Sequence, residues 1–156
     1  IVVSGVDYSS SLVNRASQKL NGQFAVGDIR DLRFLPDAAY DCVFSFSAFH
    51  YLDSAKDAKR AVREMVRLAK PGGVLMIGEV NDLAKKSMAL ELRKASHKDQ
   101  PKLSEEELDH LYLPKELFKE MSSQLGLAIT FLDHGQLKLP TYQAARYRYT
   151  VYCWKE

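Results

Sequence analysis

Residues 26–52 read VGDIRDLRFLPDAAYDCVFSFSAFHYL, and the fold turns on the run within them from Tyr40 to Phe46. Val43, Phe44 and Phe46 stand there among small residues, bounded by Pro36-Asp37 before and by polar residues after. A near-continuous apolar run of this length is the pattern of a strand covered on both faces. In an open parallel sheet the ligand crevice lies beyond the carboxyl ends of the strands, which puts Ser45 to His50 at its mouth and Gly27 to Asp31 beside it. The stretch is expected to form the floor and one wall of a ligand site.

Upstream, the β-branched run Ile1 to Val6 is closed by Asp7, and Leu12, Val13, Ala16 and Leu20 give Ser9 to Leu20 a helix-compatible face with serines to cap it. Gln23 to Val26 makes a short strand. Downstream, Ser54 and Asp57 have the spacing of a capping box, and Ala58, Ala61, Val62, Met65, Val66 and Ala69 form one apolar face. Lys70-Pro71-Gly72-Gly73 stops that helix, since proline cannot continue it and glycine supplies a left-handed turn, and Val74 to Val80 follows as a strand. Met88, Leu90, Leu92 and Ala95 allow an irregular helix. Ser104 and Glu107 form a second capping box, for a short helix through Leu111, and Pro114 sits in the first turn of a helix running to Leu125 and ended by Gly126. Leu127 to Asp133 and Tyr147 to Trp154 are the last strands; the alternation in the second implies a partly exposed or antiparallel strand. The order is βαβ, βαβ, a helical insert and two strands: a doubly wound α/β sheet with a C-terminal antiparallel hairpin. One domain over 1–156 is expected, with 83–113 as helical insert and substrate lid.

Composition narrows the partners. The 156 residues are 46% hydrophobic and 27% charged, and 22 basic against 20 acidic residues leave a net charge of +2. That balance argues against a nucleic-acid footprint or a membrane-surface patch and leaves a small molecule as the expected partner. No apolar run approaches the ~18 residues of a membrane span. Cys42 and Cys153 lie in apolar runs without metal spacing, which reads as two core thiols in a reducing cytoplasm. His97, His110 and His134 share no partner pattern, so no metal site is expected.

Two acids point to a ligand. A carboxylate at a strand end, Asp7, can accept both hydroxyls of a ribose, or can cap the next helix with Ser9 and Ser10. Asp28 follows the next short strand in the same register; it can accept from an adenine amino group while the next N–H donates to a ring nitrogen, or can be a turn residue after Gly27. Ile29 and Leu32 are placed to pack on a ring.

Five pieces in order, VVSGVDYSSSLVNRA, GDIRDLRF, YDCVFSFSAFHYL, RLAKPGGVLMIGEV and YLPKELFKEM followed by LGLAITFLD, resemble class I S-adenosylmethionine-dependent methyltransferases over nearly the whole chain. The resemblance implies a Rossmann-like sheet with a reversed terminal hairpin, S-adenosylmethionine as cofactor, Asp7 with Tyr8 at its ribose, Asp28 and Ile29 at its adenine, and Phe46 with Ser47 near its methionine part. One departure is plain. The family's first strand and glycine-rich loop are absent, since the sequence begins at what resembles the second strand. An unstable or rearranged chain is therefore expected, with further residues upstream.

Methyl transfer from a sulfonium needs alignment and exclusion of water rather than a metal. His50, just past a strand end, is the candidate base. Glu79 and Asn81 end the Val74 strand and face the crevice, while Tyr142 and Arg146 lie around the last hairpin, where an arginine can hold a carboxylate or phosphate. The rival readings are a nicotinamide-dependent reductase, which Asp7 would also serve, and a catalytically inactive scaffold.

Overall fold

The computed structural model of the chain describes residues 2–96, 110–139 and 141–155. The elements are β1 (Val3–Asp7), α1 (Ser10–Lys19), β2 (Gly22–Val26), β3 (Tyr40–Phe46), α2 (Ala55–Leu68), β4 (Ala69–Asn81), α3 (Lys86–Ser96), α4 (Lys115–Leu125), β5 (Leu127–Asp133) and β6 (Arg148–Lys155). The capping box at Ser104 lies outside the described residues. β1 and β2 pair in parallel as a two-stranded sheet, and the other four strands form a second sheet in the order β3-β4-β6-β5. β3 runs parallel to β4, while β6 is antiparallel to both β4 and β5. The expected α/β architecture with a reversed C-terminal pair is present.

Local signals place the element ends. Ser9 caps α1, its Oγ accepting from Leu12 N–H, and Val13 is the residue that helix buries. At α2 the capping box forms: Ser54 Oγ accepts from Asp57 N–H at 3.2 Å and donates to the Asp57 carboxylate at 2.7 Å. Gly126, at φ +63, closes α4 in the left-handed conformation that glycine adopts without penalty.

The core forms on one side of the larger sheet. Val43 and Ser45 of β3 are set against Leu75 and Ile77 of β4, which pair with Cys153 and Val151 of β6. Onto this face pack Ala58, Ala61, Val62 and Met65 of α2 with Leu117, Phe118 and Met121 of α4. The opposite face carries Cys42, Phe44 and Phe46, paired with Val74, Met76 and Gly78, and then Tyr152 and Trp154. It is not covered: Phe44 is 65% and Phe46 62% exposed.

Two expectations are thereby corrected. β3 is covered on one face rather than two, because both large helices lie on the Val43 side. Cys42 is exposed for the same reason, and Cys153 alone is a core thiol. β6 is antiparallel to both neighbours, as its alternation implied, and it lies inside the sheet, with Tyr149, Thr150 and Val151 buried while Trp154 is exposed.

Candidate active site

The strand ends that meet at the crevice are those of β3 and β4. β4 is bulged there: Ile77 pairs with Val151 and Val80 with Tyr149, so Gly78 and Glu79 together stand opposite Thr150. A bulge re-aims the side chain it carries. Glu79 sits at φ +64, a conformation that costs a non-glycine residue about 1–3 kcal/mol unless its surroundings hold it.

Here they do. Glu79 is 5% exposed, and its carboxylate is fully engaged. Oε1 lies 3.2 Å from His134 Nδ1, and Oε2 accepts from Arg148 Nη1 and from the Tyr142 hydroxyl. Arg148 Nη1 also donates to the Tyr142 oxygen at 2.8 Å, and its Nε donates to Asn81 Oδ1 at 3.1 Å. Asn81 Nδ2 donates to the Leu111 carbonyl. His134 Nε2 and Thr150 Oγ1 are 2.7 Å apart. One buried carboxylate thus ties together the end of β4, the turn at His134–Leu137, the turn at Gln143–Tyr147 and the start of β6.

His50 lies in a short turn, Phe49–Tyr51, beyond β3, and is 4% exposed. Leu111 N–H donates to its carbonyl at 3.0 Å. The ring clusters with those of Tyr51 and His110, whose centroids lie 4.2 and 4.7 Å away and 5.3 Å from each other. Burial, and after it the charges of His110, Arg148 and Arg93, push its pKa down to about 4, against a weaker opposing pull from the Glu79 main-chain carbonyl. His50 is therefore neutral near pH 7. Among the described residues its Nδ1 is buried without a hydrogen-bond partner, as is Ser45 Oγ on the adjacent strand.

The proposed cofactor residues lie at the smaller sheet and at the end of β3. Asp7 ends β1; its Oδ1 accepts from Ser9 N–H at 2.8 Å, and Oδ2 has no partner among the described residues. Gly27 N–H donates to the Asp7 carbonyl, which brings the ends of β1 and β2 together. Asp28 accepts from Arg30 through its main-chain N–H, Nε and Nη2, and these contacts hold its carboxyl below the ordinary range. The same guanidinium reaches Asp53 Oδ2 at 2.8 Å. Ile29 packs against the main core, while Tyr8 is 82% exposed. Ser47 takes φ +57 and donates its N–H to the Gly78 carbonyl, and the Phe46 ring lies over Gly78, leaving no space for a side chain there.

Asp7 keeps one carboxylate oxygen unspent among the described residues, as a ribose hydroxyl would need, whereas both oxygens of Asp28 are taken by Arg30. Arg146, expected at the site, is exposed and lines an open cavity of about 450 Å³ with His134, Lys138 and Gln143. The arginine inside the network is Arg148, which sequence reasoning passed over. Its signal is the antiparallel register that sets it opposite Asn81.

A parallel sheet with acids at successive strand ends and a reversed final strand defines a Rossmann-like fold of the nucleotide-binding kind. Comparisons narrow this. Residues 1–77 match the family model described as a methyltransferase domain. The chain is 37% identical over 84 residues to the 2-methyl-6-phytyl-1,4-hydroquinone methyltransferase of Synechocystis, covering 51% of this chain and 25% of that protein. An S-adenosylmethionine-dependent methyltransferase from Mesorhizobium loti superposes with TM-score 0.65 at 18% identity, over 99% of this chain and 80% of that one. N-methyltransferase NodS of Bradyrhizobium japonicum, solved with S-adenosyl-L-homocysteine, gives TM-score 0.63 at 15% identity, over 98% of this chain and 65% of that one. Residues 1–77 thus resemble a methyltransferase domain, and the chain as a whole has the fold of S-adenosylmethionine-dependent methyltransferases. It spans about a third or less of the length of the curated relatives it matches. No helix among the described residues is long and apolar enough to cross a membrane.

Proposed function

We propose that the protein transfers the methyl group of S-adenosylmethionine to a small-molecule acceptor. What supports this reading is the pair of carboxylates at successive parallel strand ends, Asp7 closing β1 and Asp28 following β2, in a chain with the fold of S-adenosylmethionine-dependent methyltransferases. When bound, S-adenosylmethionine supplies an activated methyl on a sulfonium. Asp7 would hold the ribose hydroxyls, with Tyr8 beside it. Asp28 and the main chain at Ile29 would hold the adenine edge, and Phe46 with Ser47 would border the methionine part. The chain's own task is then to align an acceptor and exclude water, which the buried, hydrogen-bonded wall around Glu79 does. Asn81, Glu79 and Tyr142 support the acceptor wall through one another, and Arg146 lies at its outer side. The described part of the insert, Leu83–Ser96 and 110–113, borders His50. The hydroquinone in the name of the Synechocystis relative is an example of a small acceptor of this kind.

A non-enzymatic, scaffold reading draws on one observation: Arg30 already occupies Asp28. Isothermal titration with S-adenosylhomocysteine and with NADH separates the readings. Binding of S-adenosylhomocysteine that falls at least tenfold in Asp7→Ala is expected; binding of NADH alone would make the protein a nicotinamide enzyme, and binding of neither would favour the scaffold.

A further inference from the structure

Beside the Glu79 network lies a cavity of about 450 Å³, within the roughly 300–1,000 Å³ of small-molecule sites. Two turns build it. The turn at His134–Leu137 leaves β5 and the turn at Gln143–Tyr147 leads into β6, and they lie against each other: a Cβ at Gly135 would come 3.8 Å from the Ala145 carbonyl. From the insert, α3 contributes Leu92 to the lining. His134 lines the cavity with its hydrogen-bonding capacity spent, since Nδ1 lies 3.2 Å from Glu79 Oε1 and Nε2 lies 2.7 Å from Thr150 Oγ1.

Charge around this cavity is one-sided. From His134 to Lys155 the chain carries Lys138, Arg146, Arg148 and Lys155 and no acid. Arg148 is matched by the Glu79 carboxylate, and Lys155 donates to the Val66 and Ala69 carbonyls. Lys138 and Arg146 both line the cavity, and neither meets a carboxylate among the described residues. The acid nearest in sequence, Asp133, is already taken: it accepts from Lys85 Nζ at 2.9 Å and from Gly135 N–H at 3.1 Å, with Lys115 Nζ 3.5 Å away. Two cations at one cavity with no facing carboxylate concentrate anions there. The rest of the lining is apolar, from Leu92, Leu139 and Ala145, and Leu139 stands 47% exposed, a side chain that an apolar ligand would take out of water.

We infer that this cavity seats an organic acid, an apolar body ending in a carboxylate, with Lys138 and Arg146 holding the carboxylate and Leu92 and Leu139 covering the body. The inference rests on the methyltransferase reading, which it narrows to an acidic acceptor. The cavity adjoins the methionine end of that site through β4: Ser47 donates its N–H to the Gly78 carbonyl at 3.2 Å, and the next residue, Glu79, holds His134 on the cavity wall. A guanidinium can grip a carboxylate through two parallel N–H groups, and a lysine adds a point charge beside it. An ammonium ligand would face both cations. Inorganic phosphate would satisfy the charges and leave Leu92 and Leu139 uncovered. Lys138 itself sits at φ +48, where glycine would fit without strain, so the turn keeps a cation at a backbone cost that a bound anion explains.

The test is calorimetric titration of the full chain with 4-phenylbutyrate, with and without S-adenosylhomocysteine. The acid is expected to bind about tenfold more tightly than its neutral counterpart 4-phenylbutanol, the worth of a charge-assisted hydrogen bond. Lys138→Gln with Arg146→Gln, both at exposed positions, should abolish that preference with an unchanged circular dichroism spectrum. Lys138→Gly, which suits the left-handed backbone, should lower affinity about threefold without lowering the thermal midpoint. Lys56→Gln with Arg63→Gln, which removes the same charge from exposed positions on α2, should leave the preference in place. Equal binding of 4-phenylbutanol, 4-phenylbutylamine or inorganic phosphate, or an equal loss in the α2 pair, would overturn the inference. A chain that binds S-adenosylhomocysteine and not 4-phenylbutyrate would overturn it too and leave the methyltransferase reading standing. Selective binding of 4-phenylbutyrate by a chain with no affinity for S-adenosylhomocysteine would uphold the cavity and remove that reading.

Discussion

At the scale of single residues, Glu79 and His50 make opposite demands on pH and charge. Among the described residues Glu79 is the carboxylate that faces Arg148, Tyr142 and His134. Removing one member of a buried ion pair strands the other, so Glu79→Gln should lower unfolding free energy by about 3–5 kcal/mol, read from urea denaturation. His50 has a folded-state pKa near 4 against about 6.5 when unfolded. The unfolded chain then binds the extra proton between those values, and stability is lost as pH falls from 6.5 towards 4. The loss from His50 should reach about 3 kcal/mol. Burial lowers the His134 pKa as well and adds in the same direction. Urea midpoints measured across that window should flatten in His50→Gln. Much of this site is legible in sequence, because Glu79, Asn81 and His50 follow apolar strands and strand ends face the crevice. Arg148 is not. It and Arg146 have the same parity in one alternating run, and only the long-range pairing of Asn81 with Arg148 tells which one turns inward.

At the scale of elements, caps are local and legible in the sequence, whereas Lys70 to Gly73, expected as the stop before a strand at Val74, lies inside β4. Ser54 is such a cap: its hydroxyl both accepts from Asp57 N–H and bonds the Asp57 carboxylate. Ser54→Ala should cost about 1 kcal/mol, and Ser54→Thr, which keeps the hydroxyl, should restore most of it, measured as a shift in thermal midpoint. Gly126→Ala, at φ +63 with open space where its Cβ would go, should cost about 1–2 kcal/mol through backbone conformation alone. Coverage is a different matter. The run in β3 tells that large apolar side chains are present, whereas whether a second layer lies on Phe44 and Phe46 depends on where α2 and α4 dock. Nothing within Tyr40 to Phe46 encodes that. The same limit explains β6, whose polar-looking alternation sits in the interior of the sheet because two antiparallel neighbours enclose it.

At the scale of the whole molecule, stability is unevenly spread. The four-stranded sheet and the elements packed on it carry the large fully buried side chains, Tyr149, Leu75, Met65 and Met121 among them, while β1, α1 and β2 contribute Val13 alone to the buried apolar residues. Regions with little buried apolar surface open at low free energy. Amide hydrogen exchange should therefore find β4 and β6 protected to the level of global unfolding and β1 and β2 exchanging well before them. The Asp7 and Asp28 ends belong to the weaker part. S-adenosylhomocysteine, if held there, should raise protection in β1 and β2 more than in β6.

The bare face of the larger sheet has a consequence for how the protein behaves in a tube. Phe44, Phe46 and Trp154 form an aromatic strip that water must wet, next to the half-buried Met76 and Tyr152. Contiguous apolar surface of that kind takes up other apolar matter. A fluorescent naphthalene sulfonate dye should light up on the native protein at neutral pH, with no denaturant present, and the protein should be retained on a phenyl column. Phe44→Ser with Phe46→Ser should abolish both effects while leaving the buried Val43 side and its helices in place.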